Sequence, residues 1–257
     1  MTRALIFDCD GVLADTERHG HLVAFNRMWS ELGVPWQWSA DQYAEKLQIG
    51  GGKERLAALW EEPEFQQACP SELLRESANE VIQRWHLRKS EIYRNIVASR
   101  LIPPRPGIKR LASAALAAGW KLAVASTSQP SSVAAVLDGV VGGALASQFL
   151  VLAGDVVAAK KPAPDVYLLA AEELQVLPHH CVVIEDSHNG LTAAAAAGMA
   201  CVVTPSDFTW NEDFSQARLV VSCLGDPTGP ACQVLANRSR ANPQSLLTVD
   251  DLERLLE

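Results

Sequence analysis

The sequence predicts an α/β protein with a doubly wound parallel sheet, a Rossmann-like core, and an all-helical cap domain inserted into that core. Two observations predict this fold. Short apolar runs alternate with helical segments along most of the chain, which is typical of a parallel sheet covered by helices on both faces. The block 18–99 breaks this alternation because it contains no convincing strand, and it therefore indicates a helical insertion.

Each predicted strand is a short apolar run. The predicted strands are 4–7, 121–125, 149–153, 182–184, 201–203 and 219–221. Ligands of such sheets bind beyond the carboxyl ends of the strands, so the residues that follow each strand are the candidates for a functional site.

The boundaries of the insertion are predicted from helix-capping residues and from a proline-rich segment that ends helical structure. Ser39 and Gln42 have the spacing of a capping box, and Ser71 is predicted to begin a long helix. The proline-rich segment 103–107 ends the block. We therefore assign residues 1–17 and 100–257 to the α/β core and residues 18–99 to the cap. In the tail, 226–245 carries no predicted element and 248–256 is predicted to be a short helix.

Composition excludes several classes of function. The chain has 257 residues and a formal net charge of -8, which disfavours binding to nucleic acid phosphates. No apolar stretch reaches membrane-spanning length. No signal peptide is visible, which predicts a cytoplasmic protein or one whose transit peptide has been removed. The six cysteines are scattered without a Cys-x-x-Cys pair, which predicts buried thiols rather than a disulfide framework.

Acidic side chains follow two of the predicted strands. Asp8 and Asp10 come after the first strand, and Glu185 and Asp186 come after the strand at 182–184. Carboxylates crowded at strand ends are costly to bury unless a cation or protons neutralise them, and oxygen ligands suit Mg²⁺. Alone, each pair is as typical of a solvated turn or a helix cap as of a metal site.

Hydroxyls and a lysine follow two further strands. Ser126, Thr127 and Ser128 lead into a helix N-terminus, which is suited to bind phosphate, and Lys161 offers an ammonium before a proline-stiffened turn. Singly, these segments are equally typical of a helix cap and an exposed basic loop. Together, the four segments indicate phosphoryl transfer to a carboxylate.

The four segments resemble the motifs of the haloacid dehalogenase-like superfamily. Motif one matches Asp8 and Asp10, motif two Ser126, motif three Lys161, and motif four Glu185 and Asp186. The resemblance covers the chain up to about residue 226. An aspartate two residues after the nucleophile position is typical of the phosphatases and mutases of the superfamily rather than of its dehalogenases.

The resemblance implies a mechanism. Asp8 is the implied nucleophile that becomes an aspartyl phosphate, and Asp10 is the implied general acid and base. Mg²⁺ is expected on the Asp8 side chain, the Asp10 backbone carbonyl and Asp186, with Glu185 as an inner or outer ligand. Lys161 and Ser126 are expected to stabilise the transferring phosphoryl group.

A narrower resemblance lies mostly in the cap. Segments 15–17, 49–55, 154–157 and 211–214 are similar to the CbbY-type xylulose-1,5-bisphosphate phosphatases, and 15–26 is similar to their plant and algal members. This resemblance implies a small-molecule sugar bisphosphate as substrate. It also implies the plastid stroma as the compartment, provided that the source is a plant or an alga.

The implied cap site binds the distal phosphate of the substrate. Gly51 and Gly52 allow backbone N–H groups to approach it, and Lys53 and Arg55 supply charge, although a solvated helix start is the plain alternative. The other candidates for substrate contact are Glu17, Lys89, Thr127, Ser128 and Asn189. For Lys89, a solvated helix face is an equal alternative.

The sequence is also compatible with two other functions. A β-phosphoglucomutase-like mutase shares every core motif, and Gln129, where the mutases usually carry lysine, favours the phosphatase. A non-catalytic sugar-phosphate binding protein is disfavoured because it has no need of a nucleophile and its acid. We expect a monomer.

Overall fold

The structure is a computed structural model that describes residues 2–99 and 101–257. The chain divides into two compact units. One is the α/β unit, which contains the chain up to Asp15 and the segment Pro103–Glu257, and the other is the helical unit, Thr16–Ile102. Within the described residues, no helix has the length and apolar character that crossing a membrane requires.

A seven-stranded sheet forms the centre of the α/β unit. Its strands are β1 Ala4–Phe7, β2 Lys121–Ser126, β3 Phe149–Ala153, β4 Cys181–Glu185, β5 Ala200–Val203, β6 Leu219–Val221 and β7 Val234–Asn237. Their spatial order is β3-β2-β1-β4-β5-β6-β7, and only β7 is antiparallel to its neighbour. The central strand β1 is buried along its whole length, as expected for a sheet covered on both faces.

The register brings the ends of the central strands together. Ile6 of β1 lies opposite Ala123 of β2 and Val183 of β4. Parallel strands in this register end at the same edge of the sheet, so the segments that follow β1, β2 and β4 are neighbours. The predicted fold class is confirmed.

Helices account for most of the remaining regular structure. The helical unit contains a π-helix at Glu17–His21, then α1 Leu22–Glu31, α2 Ala40–Lys46, α3 Gly52–Trp60, α4 Pro63–Ala68, α5 Ser71–Leu74 and α6 Ala78–Ala98. The α/β unit contains α7 Ile108–Ala117, α8 Pro130–Val141, α9 Gly143–Ala146, α10 Asp165–Glu173, α11 His188–Ala196 and α12 Val249–Leu255, with a 3₁₀ turn at Pro178–His180.

Each unit has its own core. In the α/β unit, small and branched side chains of β1, β2, β4 and β5 pack against α10 and α11. In the helical unit, aromatic rings pack edge to face, as in the pair Trp29 and Trp38, whose centroids lie 4.7 Å apart. All six cysteines are buried, and the described residues contain no disulfide, as the spacing of the cysteines predicts.

One prediction about the helices is wrong, and one strand was not predicted. The long helix of the helical unit begins at Ala78, after Ser77, whereas Ser71 begins only the four-residue helix α5. The tail also contains β7, an edge strand that the proline- and glycine-rich composition did not indicate. The pairing of β7 with β6 is a tertiary contact, so local sequence carries little signal for it.

Candidate active site

The first two acidic residues stand where β1 ends. The Asp8 N–H donates to the carbonyl of Ile184 at 3.0 Å, which extends the ladder between β1 and β4 and brings the Asp8 carboxylate beside the end of β4. Gly11 then turns the chain with φ +76°. A Cβ at Gly11 would overlap the Asp186 carboxylate, so the turn and the close approach both require glycine.

Lys161 is a buried cation between two carboxylates. Its Nζ donates to Asp8 Oδ1 at 2.6 Å, to Glu185 Oε1 at 2.8 Å and to the Ala125 carbonyl at 3.0 Å. The three bonds use all three ammonium protons. Burial opposes the charge, but Asp8 and Glu185 outweigh it and raise the pKa of Lys161 above its usual value. The side chain is therefore a permanent positive charge.

Both oxygens of the Glu185 carboxylate accept hydrogen bonds. Oε1 also accepts a bond from Tyr167 Oη at 2.6 Å, while Oε2 accepts from Asp186 N at 3.0 Å and from Ser187 Oγ at 3.2 Å. Although burial raises the pKa of Glu185, Lys161 and these donors lower it below its usual value. Glu185 is thus an anion whose oxygens already have partners within the protein.

Three carboxylates form a compact acidic cluster. Asp8, Glu185 and Asp186 are buried, and each offers an oxygen within 4.8 Å of the others. Burial raises the pKa of Asp8 to about 7 against the opposing charge of Lys161, and the neighbouring carboxylates add to the rise. Burial and the charges of Glu185 and Asp8 also raise the pKa of Asp186 well above its usual value.

Buried carboxylates whose pKa values are raised in this way are neutralised either by protons or by a bound cation. A hard divalent cation supplies that neutralisation, and an all-oxygen donor set suits Mg²⁺. Asp8 and Asp186 are the residues that fit as direct ligands. Glu185 fits the outer position, since both of its oxygens already accept hydrogen bonds.

The hydroxyls after β2 interact with each other and with Asp10. Ser128 Oγ donates to Asp10 Oδ2 at 2.5 Å, and the Ser128 N–H donates to Ser126 Oγ at 3.1 Å. Ser126 is buried, whereas Thr127 and Ser128 are half-buried. The sequence indicated Ser128 as a substrate ligand, and the structure shows in addition that it holds the Asp10 carboxylate. Asn189 is half-buried in the first turn of α11.

Within the helical unit, Glu17, Tyr43 and Arg55 form a second polar cluster. Tyr43 Oη donates to Glu17 Oε2 at 2.6 Å, and Arg55 Nη1 donates to Tyr43 Oη at 3.0 Å. Arg55 Nε donates to the Ile49 carbonyl at 2.9 Å. Arg55 is buried, and its bond to the Ile49 carbonyl organises the segment before α3. The alternative of a solvated side chain is therefore wrong for Arg55.

The glycines before α3 differ in their roles. Gly51 has φ +101°, and a Cβ there would overlap the Glu54 carboxylate. A Cβ at Gly52 would make only ordinary contact, 3.5 Å from the nearest atom of Phe25. Lys53 is exposed in the first turn of α3. Of these two positions, only Gly51 has a backbone conformation that requires glycine.

Lys89 is buried in the helical unit, so the alternative of a solvated helix face is wrong for it. Its Nζ lies 2.6 Å from His21 Nδ1 and 4.6 Å from the centre of the Phe25 ring. The His21 ring stacks on Tyr93 at 3.9 Å. The neighbouring Arg88 does lie on the exposed face, where it pairs with Glu31.

Comparisons with known proteins agree with these motifs. A family profile described as a haloacid dehalogenase-like hydrolase matches residues 2–198. A "CBBY-like protein" of Arabidopsis thaliana is 45% identical over 224 residues, which cover 87% of this chain and 70% of that protein. The plasmid-encoded "Protein CbbY" of Cupriavidus necator is 42% identical over 234 residues, which cover 90% of this chain and 89% of that protein.

A similar solved structure is that of a CbbY variant from Rhodobacter sphaeroides in complex with xylulose 1,5-bisphosphate. It superimposes with a TM-score of 0.77 at 39% identity, covering 87% of this chain and 95% of that one. The expected resemblance is confirmed. The chain belongs to the haloacid dehalogenase-like hydrolase family and is similar within it to the proteins named CbbY.

Proposed function

We propose that this protein is a Mg²⁺-dependent phosphatase that hydrolyses xylulose 1,5-bisphosphate to xylulose 5-phosphate and inorganic phosphate. The observation that carries the proposal is the buried contact between Asp8 and Lys161 beside Asp186, where β1 and β4 end. The CbbY structure in complex with xylulose 1,5-bisphosphate supports the choice of substrate.

The first half of the proposed reaction takes place at Asp8. Its carboxylate attacks the phosphorus, the bond from phosphorus to the sugar oxygen breaks, and an aspartyl phosphate forms. Lys161 holds a fixed positive charge 2.6 Å from the attacking group, where the oxygens of the phosphoryl group must gather. Ser126 supports this region from the end of β2, and Thr127 and Asn189 are the other proposed contacts of the phosphate.

Asp10 carries the proton in both halves of the reaction. It protonates the departing sugar oxygen and then accepts a proton from the water that cleaves the aspartyl phosphate. The bond from Ser128 Oγ, 2.5 Å long, holds this carboxyl group in place for proton transfer. Asp10 is also half-exposed, unlike Asp8, so water reaches it.

The side chains of Asp8 and Asp186 and the backbone carbonyl of Asp10 are the proposed Mg²⁺ ligands, with Glu185 in the outer position. When bound, the cation neutralises charge on the phosphoryl group. Without it, the negative charge around Asp8 would repel an anionic substrate.

The helical unit supplies the proposed recognition of the distal phosphate. Lys53 is an exposed cation in this unit, and the N–H groups near Gly51 and Gly52 add donors at the start of α3. We assign Glu17 to a sugar hydroxyl and Lys89 to an anionic group of the substrate. Arg55 supports this segment through its bond to the Ile49 carbonyl.

The proposal also covers the binding partner, the oligomeric state and the cellular compartment. The partner is a small sugar bisphosphate, and we propose that the protein acts as a monomer. The plant relative supports a location in the plastid stroma.

Phosphate release tests the proposed function. The measurement compares xylulose 1,5-bisphosphate, ribulose 1,5-bisphosphate, and β-glucose 1-phosphate with its bisphosphate activator, each with Mg²⁺. We expect strong preference for the xylulose compound and no turnover by Asp8→Asn. Asp155→Asn, which alters an exposed carboxylate, is the matched control. Formation of glucose 6-phosphate with little free phosphate would establish a mutase instead, and binding without turnover would establish a binding protein.

A further inference from the structure

The ring of Tyr167 lies beside the acidic cluster, although this residue belongs to none of the four motifs. Tyr167 stands in the first turn of α10, shortly after Lys161 in the chain, and the whole residue is buried. Its hydroxyl donates to Glu185 Oε1 at 2.6 Å. A buried phenol needs a hydrogen-bond partner, and here that partner is an oxygen of the cluster.

Tyr167 and Lys161 share this acceptor. Lys161 Nζ donates to the same oxygen, Glu185 Oε1, at 2.8 Å. The ammonium also lies over the face of the Tyr167 ring, 4.7 Å from its centre. The face of an aromatic ring carries partial negative charge and attracts a cation in this position. Tyr167 therefore contacts Lys161 directly through its ring and indirectly through the carboxylate that both residues bind.

The Lys161 ammonium is shared between two carboxylates, and the Tyr167 hydroxyl acts on one of them. The ammonium lies 2.6 Å from Asp8 Oδ1 and 2.8 Å from Glu185 Oε1. The hydrogen bond from Tyr167 polarises Glu185 Oε1 and weakens the attraction between that oxygen and the ammonium. Without the hydroxyl, Glu185 would attract the ammonium more strongly and draw it away from Asp8, the proposed attacking group.

The second oxygen of Glu185 keeps the carboxylate in place independently of Tyr167. Glu185 Oε2 accepts from the Asp186 N–H at 3.0 Å and from Ser187 Oγ at 3.2 Å. Both donors come from the segment between β4 and α11, on which Tyr167 has no covalent hold. Loss of the Tyr167 hydroxyl should therefore change the charge that faces Lys161 while the carboxylate stays where it is.

We propose that Tyr167 is a positioning residue for Lys161. Its hydroxyl acts through Glu185 and its ring acts directly, and together they keep the ammonium beside Asp8, where the oxygens of the transferring phosphoryl group gather. The inference rests on the proposed function and adds to it a residue that acts on the phosphoryl group only through Lys161.

Kinetics of Tyr167→Phe test this role, because the change removes the hydroxyl and keeps the ring. We expect kcat for xylulose 1,5-bisphosphate at saturating Mg²⁺ to fall by at least about tenfold, as for other outer hydrogen-bond partners of a site, with KM unchanged. The inhibition constant of orthovanadate, a mimic of the phosphoryl group in transfer, should rise. That constant does not depend on the fraction of folded enzyme, so a purely structural role would leave it unchanged. Ser132→Ala, which removes a buried hydroxyl from α8, is the control.

A double variant tests the path through Glu185. Glu185→Gln neutralises one of the two anions that hold the ammonium, so it should lower kcat by itself, and it serves if Tyr167→Phe does not fold. In that background, Tyr167→Phe should lower kcat by less than about twofold more, because its effect depends on the Glu185 charge.

Three results would overturn the inference alone. They are wild-type kcat and vanadate inhibition in Tyr167→Phe, equal losses from Tyr167→Phe in both backgrounds, and wild-type kcat in Glu185→Gln. A wild type that hydrolyses neither xylulose 1,5-bisphosphate nor p-nitrophenyl phosphate would overturn the proposed function as well.

Discussion

The Lys161 ammonium lies 2.6 Å from the Asp8 carboxylate, although 153 residues separate the two in the chain. The same nitrogen binds Glu185. One buried cation thus pairs with two buried anions, and its removal would leave both without a cationic partner. The contact has consequences for activity and for stability, and they can be measured separately.

Substitution of Lys161 tests the fixed charge. We expect Lys161→Met to lower kcat by about 10²- to 10³-fold, as the loss of one electrostatic donor does elsewhere. It should also cost about 3–5 kcal/mol of unfolding free energy, because unpaired buried carboxylates remain. Steady-state kinetics and urea unfolding measure the two effects. Lys160→Met is the control, since Lys160 pairs with the exposed Asp155. Similar losses in both variants would contradict the assignment.

Gly190 should tolerate no side chain. A Cβ at this helical position would overlap the Glu185 carboxylate, so Gly190→Ala must displace the partner of Lys161. We expect a loss of about 1–3 kcal/mol, as for other overpacked sites, together with lower kcat. Gly139→Ala is the matched control in α8, where nothing lies within 4 Å of the added methyl group. That change should stabilise the protein by about 0.5–1 kcal/mol. Thermal unfolding distinguishes the two, and equal stability would refute the prediction.

Lys53→Ala tests recognition of the distal phosphate. We expect kcat/KM for xylulose 1,5-bisphosphate to fall by at least about tenfold, which corresponds to one lost charge-assisted hydrogen bond. Hydrolysis of a small generic phosphate ester should change little, because it has no second phosphate. Arg94→Ala removes another exposed cation of the helical unit and is the control. Equal losses on both substrates would show that Lys53 has a different role.

Mg²⁺ should stabilise the protein through Asp186. A ligand at one hundred times its dissociation constant adds about 2.7 kcal/mol to the free energy of unfolding. Asp186→Asn should remove most of this gain, as measured by Tm with and without Mg²⁺. The control Asp250→Asn alters an exposed carboxylate that pairs with Arg254, and it should leave the gain intact. A full Mg²⁺ shift in Asp186→Asn would exclude Asp186 as a ligand.

The cysteines should resist alkylation in the folded protein. Burial raises the pKa of Cys181 to about 12 and that of Cys232 to about 11. The thiolate is the reactive form, and at pH 8 both groups are protonated as well as shielded from solvent. Labelling with iodoacetamide, followed by mass spectrometry, should leave these two sites unmodified until the protein is unfolded. Their modification in the native state at the rate of a free thiol would contradict this.

Several features were predictable from local sequence because their causes are local. Apolar runs of the right length predicted the six parallel strands to within one residue at each end. The spacing of Ser39 and Gln42 predicted a capping box, and the box is present. The residues after β1, β2, β3 and β4 indicated the chemistry of the site, since parallel strands end at one edge of the sheet.

Features that depend on distant partners required the folded chain. The first is β7, which is a strand only because β6 supplies its hydrogen bonds. The contact of Lys89 with His21 joins residues 68 positions apart, and no local pattern marks it. Tyr167 on α10 reaches the acidic cluster through the packing of α10 and donates to Glu185.

The sequence thus predicted which kinds of groups the candidate site contains and which strand ends they follow. Only the tertiary structure decided which oxygen of Glu185 faces Lys161 and which hydroxyl donates to Asp10. The physical reason is that side-chain type and periodicity are properties of neighbouring residues. Hydrogen-bond partners and desolvation, in contrast, are set by segments that meet only when the sheet assembles.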